Sequence, residues 1–253
     1  MQKTYSLRAL VLRRTKLGES DVICTLLCED GSQVRAVAKG ARKPTSTFAS
    51  RLEVYAVCDL LLVHGKSLDL IKEARLVEAH SYLRSDIALM EAAAPMVELL
   101  DKATQVGLQD ARLYVMTVKA LAFLKDVDPD AFADLAKITC AHLLKTLAIL
   151  GFRPSFDTCV ICGSPYEATH VSESFSLIDG GVVCDLCCMQ SETIMIQRET
   201  LWWSQAFLYS TFEDIVAMTP DIDTLYAVMR FLQLWIRQHL GINLKSLSYV
   251  IAF

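Results

Sequence analysis

The chain has 253 residues, 53% of them hydrophobic and 21% charged, with a formal net charge of −4. That is enough apolar material for an ordinary core, so a disordered tail and a disulfide-held miniature are excluded, and one large or two modest domains are expected. The longest stretch without a charge, Thr200–Phe212, has 13 residues, short of the roughly 18 apolar residues of a membrane-spanning helix. Arg8, Arg13 and Arg14 interrupt the apolar residues near the N-terminus, which therefore does not read as a secretory signal, and a cytoplasmic protein is expected.

The first 80 residues read as strands. Tyr5, Leu7, Ala9 and Val11 alternate with Ser6, Arg8 and Leu10, the period of a half-buried strand, and Val22–Cys28 is a second one. Asp30-Gly31 supplies the positive backbone dihedrals of a tight turn into Gln33–Ala38. A loop rich in Gly, Pro, Ser and Thr runs from Lys39 to Ser50, after which Val54–Val63 and Leu68–Ala74 flank the turn His64-Gly65-Lys66-Ser67. Five short strands with no helix among them predict a small barrel.

From Ser81 the period becomes helical. Ser85 is a candidate cap for a helix carrying Ile87, Met90 and Glu91, with Pro95 placed to kink it or to begin the next. Leu113–Leu124 is a second helix. Asp128-Pro129 reads as the cap and first position of a third, whose Phe132, Leu135, Thr139, His142, Leu143 and Leu147 recur every three or four residues until Gly151 and Pro154. Arg198–Tyr209 and Pro220–Leu240 follow, the latter opened by Thr219-Pro220 and closed by Gly241.

Nine cysteines is an odd number, and Cys24, Cys28, Cys58 and Cys140 are scattered through apolar segments, which argues against a disulfide framework. The other five crowd together. Cys159-Val160-Ile161-Cys162-Gly163 is followed, after 21 intervening residues, by Cys184-Asp185-Leu186-Cys187. Two residues between cysteines let both thiolates turn onto one ion, and two such pairs close a tetrahedral sulfur shell, for which Zn2+ is the natural occupant. Phe175, Leu177 and Ile178 approach the turn Asp179-Gly180-Gly181 and Val182-Val183 leave it, a hairpin that returns the second pair to the first. Buried thiols and a dithiol switch are the competing readings. Four protein sulfurs leave no position for water, so the metal is expected to be structural; Cys188 stands beside Cys187 as a competing fourth ligand.

Charge is unevenly spread. Residues 1–80 hold 13 Lys+Arg against 9 Asp+Glu, a surplus of +4, while residues 81–253 hold 12 against 20, or −8. No acidic residue occurs between Gly31 and Leu52, where Arg35, Lys39, Arg42, Lys43 and Arg51 fall. A flexible cationic loop beside a strand suits the tracking of phosphates, although a solvated surface loop has the same composition. Phe48 and Tyr55 are either stacking partners for bases or core residues. No nucleotide-binding P-loop, H-E-x-x-H or G-x-S-x-G is present, and a non-enzymatic protein is expected.

The run Arg35-Ala36-Val37-Ala38-Lys39-Gly40-Ala41-Arg42-Lys43-Pro44, after Gly18-Glu19-Ser20-Asp21, resembles the N-terminal domain of the RecO family of bacterial recombination mediators. Leu150-Gly151-Phe152-Arg153-Pro154 before the paired cysteines and Leu244-Lys245-Ser246 continue the resemblance over essentially the whole chain. It implies an α+β, multidomain protein: an N-terminal OB-fold β-barrel over residues 1–80, an all-α helical domain over 81–253, and a four-cysteine zinc knuckle inserted at 152–190. It further implies binding of single- and double-stranded DNA, annealing of complementary strands, engagement of the acidic C-terminal tail of the single-stranded-DNA-binding protein SSB, and action with RecR to help load RecA, on the nucleoid. The family's DNA-binding run maps onto Lys39, Arg42 and Lys43 with Arg35 and Arg51 as neighbours, and Lys245 is a candidate for the SSB tail. Thr45 and Thr47 stand where many relatives carry another basic residue. The alternative is a zinc-stabilised protein-interaction module that does not bind DNA directly.

Overall fold

The computed structural model describes residues 3–105, 107 and 109–251. Packing divides the chain into two compact units, Met1–Asp126 and Val127–Phe253.

In the first unit, β1 (Thr4–Leu17), β2 (Asp21–Cys28), β3 (Gln33–Ala38), β4 (Val57–Val63) and β5 (Asp69–Glu78) form a closed barrel in the order β1-β2-β3-β5-β4. β1 is long enough to serve two neighbours: Ala9–Leu17 pair with β2 and Thr4–Leu10 with β4. Closure rests on a short parallel contact, Ala36↔Asp69 and Val37↔Leu70. Alternation along β3 turns Ala36 and Ala38 into the core and leaves Arg35 exposed, as the two-residue period of a strand requires. β1 instead buries Leu10, Val11 and Leu12 in succession, because the pairing shifts by a bulge between Val11 and Arg13 and because the helix Ile87–Ala103 packs on its outer side.

The expected strand at Val54 begins only at Val57. Val54–Ala56 form a turn locked against the β1 bulge, with the Tyr55 amide donating to the Val11 carbonyl and the Val11 amide to Ala56, each at 2.9 Å. Tyr55 is buried with φ +75°, and its carbonyl meets Nδ1 of His80, itself at φ +40°, at 2.8 Å. Left-handed backbone at two bulky residues is costly and is held here by buried hydrogen bonds.

The Asp30-Gly31 turn forms as expected. Gly31 has φ +86°, and a Cβ there would stand 2.0 Å from the carbonyl oxygen of Asp110. Gly31→Ala is therefore expected to destabilise the unit by about 2–4 kcal/mol, from the positive dihedral plus the collision, read as a lowered denaturant midpoint at unchanged slope.

Three helices complete this unit: α1 (Tyr82–Ser85), α2 (Ile87–Ala103) and α3 (Ala111–Phe123). The barrel thus ends near residue 80, but the compact unit that contains it extends to Asp126. The cap of α2 is Asp86, which accepts from the amides of Ala88 and Leu89, while Ser85 donates to the Tyr82 carbonyl. Pro95 lies inside α2 without ending it. Burial of Leu89, Met96, Leu99 and Leu100 along that helix outweighs the ~3 kcal/mol a mid-helix proline costs.

The second unit is built on α4 (Phe132–Ile149), against which α5 (Arg198–Tyr209), α6 (Phe212–Val216) and α7 (Ile222–Leu240) pack; α8 (Lys245–Ile251) follows. Asp128-Pro129 forms a turn that precedes α4 rather than its cap: Asp128 accepts from the amide of Asp130, and the helix begins after Ala131. Asp221, not Thr219-Pro220, caps α7 by accepting from the Thr224 amide, and Gly241 closes it at φ +65°. Two lysines on α4 point inward. Lys137 Nζ donates to the carbonyls of Val216 (2.6 Å) and Met218 (2.9 Å), and Lys145 Nζ to those of Leu208 (2.8 Å) and Ser210 (2.6 Å). They satisfy carbonyls that the ends of α6 and α5 leave free, which together with the Lys137–Asp134 ion pair at 2.7 Å makes burial of Lys137 and half-burial of Lys145 tolerable. Between α4 and α5 lies a three-stranded sheet, β6 (Ser172–Ser176), β7 (Gly181–Val182) and β8 (Ile194–Gln197), in the order β7-β6-β8. β8 and α8 carry no signal that the sequence pattern distinguishes, whereas α6, not expected above, opens on a capping box between Thr211 and Asp214. Among the described residues no helix is long and apolar enough to cross a membrane.

Candidate metal centre and nucleic-acid interface

The two cysteine pairs sit on tight turns of opposite segments. In the first, the Gly163 amide donates to the Cys159 carbonyl and the Cys159 amide to the Ser164 carbonyl, both at 2.9 Å, with Gly163 at φ +75°. In the second, the Cys187 amide donates to Cys184 at 2.8 Å. The β6–β7 hairpin, paired Phe175↔Val182 and Ser176↔Gly181, carries the second turn back to the first. The Val182 amide donates to Ser155 and the Val160 amide to Val182, each at 3.0 Å. This approach needs a glycine, since a Cβ on Gly181 would lie 2.5 Å from the Ser155 carbonyl oxygen.

The result is a cluster in which the sulfurs of Cys159, Cys162, Cys184 and Cys187 all lie within 4.8 Å of one another. Cys162 and Cys184 are 3.8 Å apart, the edge of a tetrahedron with metal–sulfur bonds of about 2.3 Å. Burial raises the Cys159 thiol, but amide donors from Cys184, Cys162 and Ile161 outweigh it and bring it down to about 6. The Cys187 thiol is pushed up to about 12 by its hydrogen bond with Cys184 and by burial. Four sulfurs this close cannot all ionise by themselves; a divalent cation supplies the missing counter-charge, so the donor set is positioned to bind a metal ion. Cys188 is outside the cluster and donates to the Asp185 carbonyl at 3.1 Å. An ion held by all four sulfurs would have no position left for a reacting water.

Two supports escaped the sequence reading. Glu173, buried on β6, accepts from the Tyr166 hydroxyl at 2.5 Å and from the His170 amide at 2.7 Å, bracing the loop between the cysteine pairs. Beneath the hairpin, Phe175 packs edge-on to Phe231 and Trp235 of α7, and Trp235 Nε1 donates to the Phe152 carbonyl at 2.9 Å.

The five candidate DNA-binding cations are all exposed: Arg35 on β3, and Lys39, Arg42, Lys43 and Arg51 on the loop that follows. The loop is anchored at its start to the β1–β2 turn. Asp21 accepts from the Gly40 amide at 2.8 Å and from the Ser20 hydroxyl at 2.9 Å, which hold its carboxyl below the usual range, with Lys39 and Lys43 adding to the effect. Arg42 donates to the carbonyls of Gly18 and Glu19. At the far end Arg51 donates to the Ala74 carbonyl of β5 at 2.9 Å. Lys39, Arg42 and Lys43 are thus gathered around one turn, whereas Arg51 stands apart beside β5. Among the described residues none of the five is in an ion pair. Phe48 packs half-buried on the barrel core and Tyr55 is buried, so Tyr55 is a core residue. Lys245 is exposed at the start of α8 in the second unit.

Residues 1–80 match the family model Recombination protein O N terminal, and residues 84–248 match Recombination protein O C terminal. The chain belongs to the RecO family. The two models meet where the barrel ends. Among curated members, DNA repair protein RecO of Desulfitobacterium hafniense is 34% identical over 194 residues, covering 77% of this chain and 68% of that one. The RecO of Cutibacterium acnes is 35% identical over 207 residues (81% and 82%), and that of a Thermoanaerobacter species 26% over 245 residues (96% and 95%). Membership agrees with the closed five-stranded barrel followed by helices and a four-cysteine cluster.

Proposed function

We propose that this RecO-family chain is a non-enzymatic mediator of recombinational repair, working in the cytoplasm on the nucleoid. Its cationic loop binds single- and double-stranded DNA, lowers the repulsion between two phosphate backbones and so anneals complementary strands. With RecR it helps load RecA onto single strands coated by SSB, whose acidic tail it engages through the second unit, with Lys245 as a candidate contact. The cysteine cluster holds Zn2+, which braces the insertion and takes no part in chemistry. The observation that carries this reading is the group Lys39, Arg42 and Lys43, exposed around one barrel turn and, among the described residues, outside any ion pair.

The test is annealing of complementary strands coated with the cognate SSB, with and without its acidic tail. The full chain is expected to accelerate annealing of bare strands, and of coated strands only when the tail is present. Annealing no faster than the spontaneous rate on bare strands overturns the proposal.

A further inference from the structure

The barrel carries a second cationic feature, away from the turn that gathers Lys39, Arg42 and Lys43. A cleft of about 1060 Å3 opens between the loop residues Thr47, Phe48 and Arg51 and the outer faces of β1, β4 and β5. Its floor is a row of side chains in strand register, Arg8 on β1, Asp59 on β4 and Arg75 on β5. Asp59 accepts from Arg8 Nε at 2.7 Å and Nη2 at 3.3 Å, and from Arg75 on the other side. Hydrogen bonds from Arg8 and then Arg75 hold its carboxyl down at about 2, so the row keeps one net positive charge over the working pH range. Lys72 adds a third cation from β5 and Arg51 a fourth from the loop.

The row does not behave as a stability device. The Arg75 side chain is 78% exposed while bonded to Asp59, and an exposed pair of this kind contributes little to folding. What the pairing does accomplish is orientation. One carboxylate fixes two guanidinium groups side by side in a concave site, each with N–H donors to spare, the arrangement that recognises phosphate oxygens. Arg51 joins this cleft to the cationic loop, and half-buried Phe48 gives it an aromatic wall against which a base can stack.

We propose that the cleft is a second single-strand site, which holds the phosphodiester backbone of an incoming strand through Arg8, Lys72 and Arg75 while the Lys39–Lys43 loop holds the first. This rests on the DNA-binding reading above. Glu29 and Glu73 also line the cleft, leaving four cations against three carboxylates. The small excess makes the grip weak, which is what a strand searching for register requires, because a tightly held strand cannot slide.

The experiment uses the full chain and two short non-complementary oligonucleotides carrying donor and acceptor dyes, read by energy transfer, with stoichiometry from native mass spectrometry. The wild type is expected to carry two oligonucleotides on one chain. Lys72→Ala with Arg75→Ala leaves affinity for the first oligonucleotide within about twofold, and lowers co-capture and the annealing rate about tenfold, as loss of two phosphate contacts implies. Lys72→Arg, which keeps the charge and leaves Arg75 in place, retains both. Unchanged co-capture in the alanine variant overturns the second site alone, as does an equal loss of first-strand affinity or a single oligonucleotide per chain. A wild type that binds no oligonucleotide overturns both readings.

Discussion

Cys159→Ser is expected to strip the metal from the second unit and to produce the largest loss of stability of any single substitution considered. A structural tetrathiolate site contributes on the order of 10–16 kcal/mol of apparent binding free energy near neutral pH, far more than β6, β7 and β8 gain from their own small core. Cys159 is the more deeply buried of the two buried members of the set, and its sulfur also receives the Cys184 amide at 3.4 Å, so its loss disconnects the two turns. Elemental analysis should find a single bound ion per chain in the wild type and almost none in the variant, with a lower melting temperature and rapid proteolysis between α4 and α5. Cys188→Ser provides the control: its sulfur faces the Asp185 carbonyl, so metal content and melting temperature should stay at the wild-type values. Equal damage from the two substitutions would falsify the four-cysteine assignment. Acid should release the ion, since protons compete with it for thiolates.

The second large effect concerns salt. If Arg35, Lys39, Arg42, Lys43 and Arg51 each neutralise one phosphate of a single strand, the logarithmic slope of affinity against salt is about −0.7 per contact, and raising salt from about 50 to about 200 mM weakens binding about a hundredfold. Alanine at Lys39, Arg42 and Lys43 leaves two contacts, for which the same change in salt costs only about sevenfold. Arg42 also anchors the loop through Gly18 and Glu19, so its replacement mixes loss of charge with loss of position. Lys39→Ala with Lys43→Ala separates the two, because among the described residues neither lysine donates a side-chain hydrogen bond that holds the loop. The double variant should bind a fluorescent oligonucleotide with a slope shallower by about 1.4 and unfold at the wild-type temperature. An unaltered slope rules out this loop as the electrostatic contact.

Much of this was legible in the residues because the relevant codes are local. The strand at Tyr5–Val11, the Asp30-Gly31 turn and the paired cysteines each depend on a few neighbours, and all three form in the structure, although the alternation of the strand breaks at buried Leu10. Helix starts were less legible. Ser85, Asp128 and Thr219 are good caps in isolation, yet Asp86, Ala131 and Asp221 hold those positions, because packing of the helix body chooses which turn is the first. Strand β8 was illegible for a related reason: Ile194–Gln197 acquires its partner only when β6 is already in place.

The sequence by itself determined the five-stranded barrel, the four clustered thiols and the cationic segment from Arg35 to Arg51, since each is written in spacing or in charge along a short stretch. Only the tertiary structure decided which cations gather around the β1–β2 turn, which inward-pointing lysines close the ends of α5 and α6, that three helices belong to the same unit as the barrel, and that Arg8, Asp59 and Arg75 share a cleft. Those arrangements join residues tens of positions apart, and the free energy that holds them comes from burial and hydrogen bonds that exist only once the chain has closed on itself.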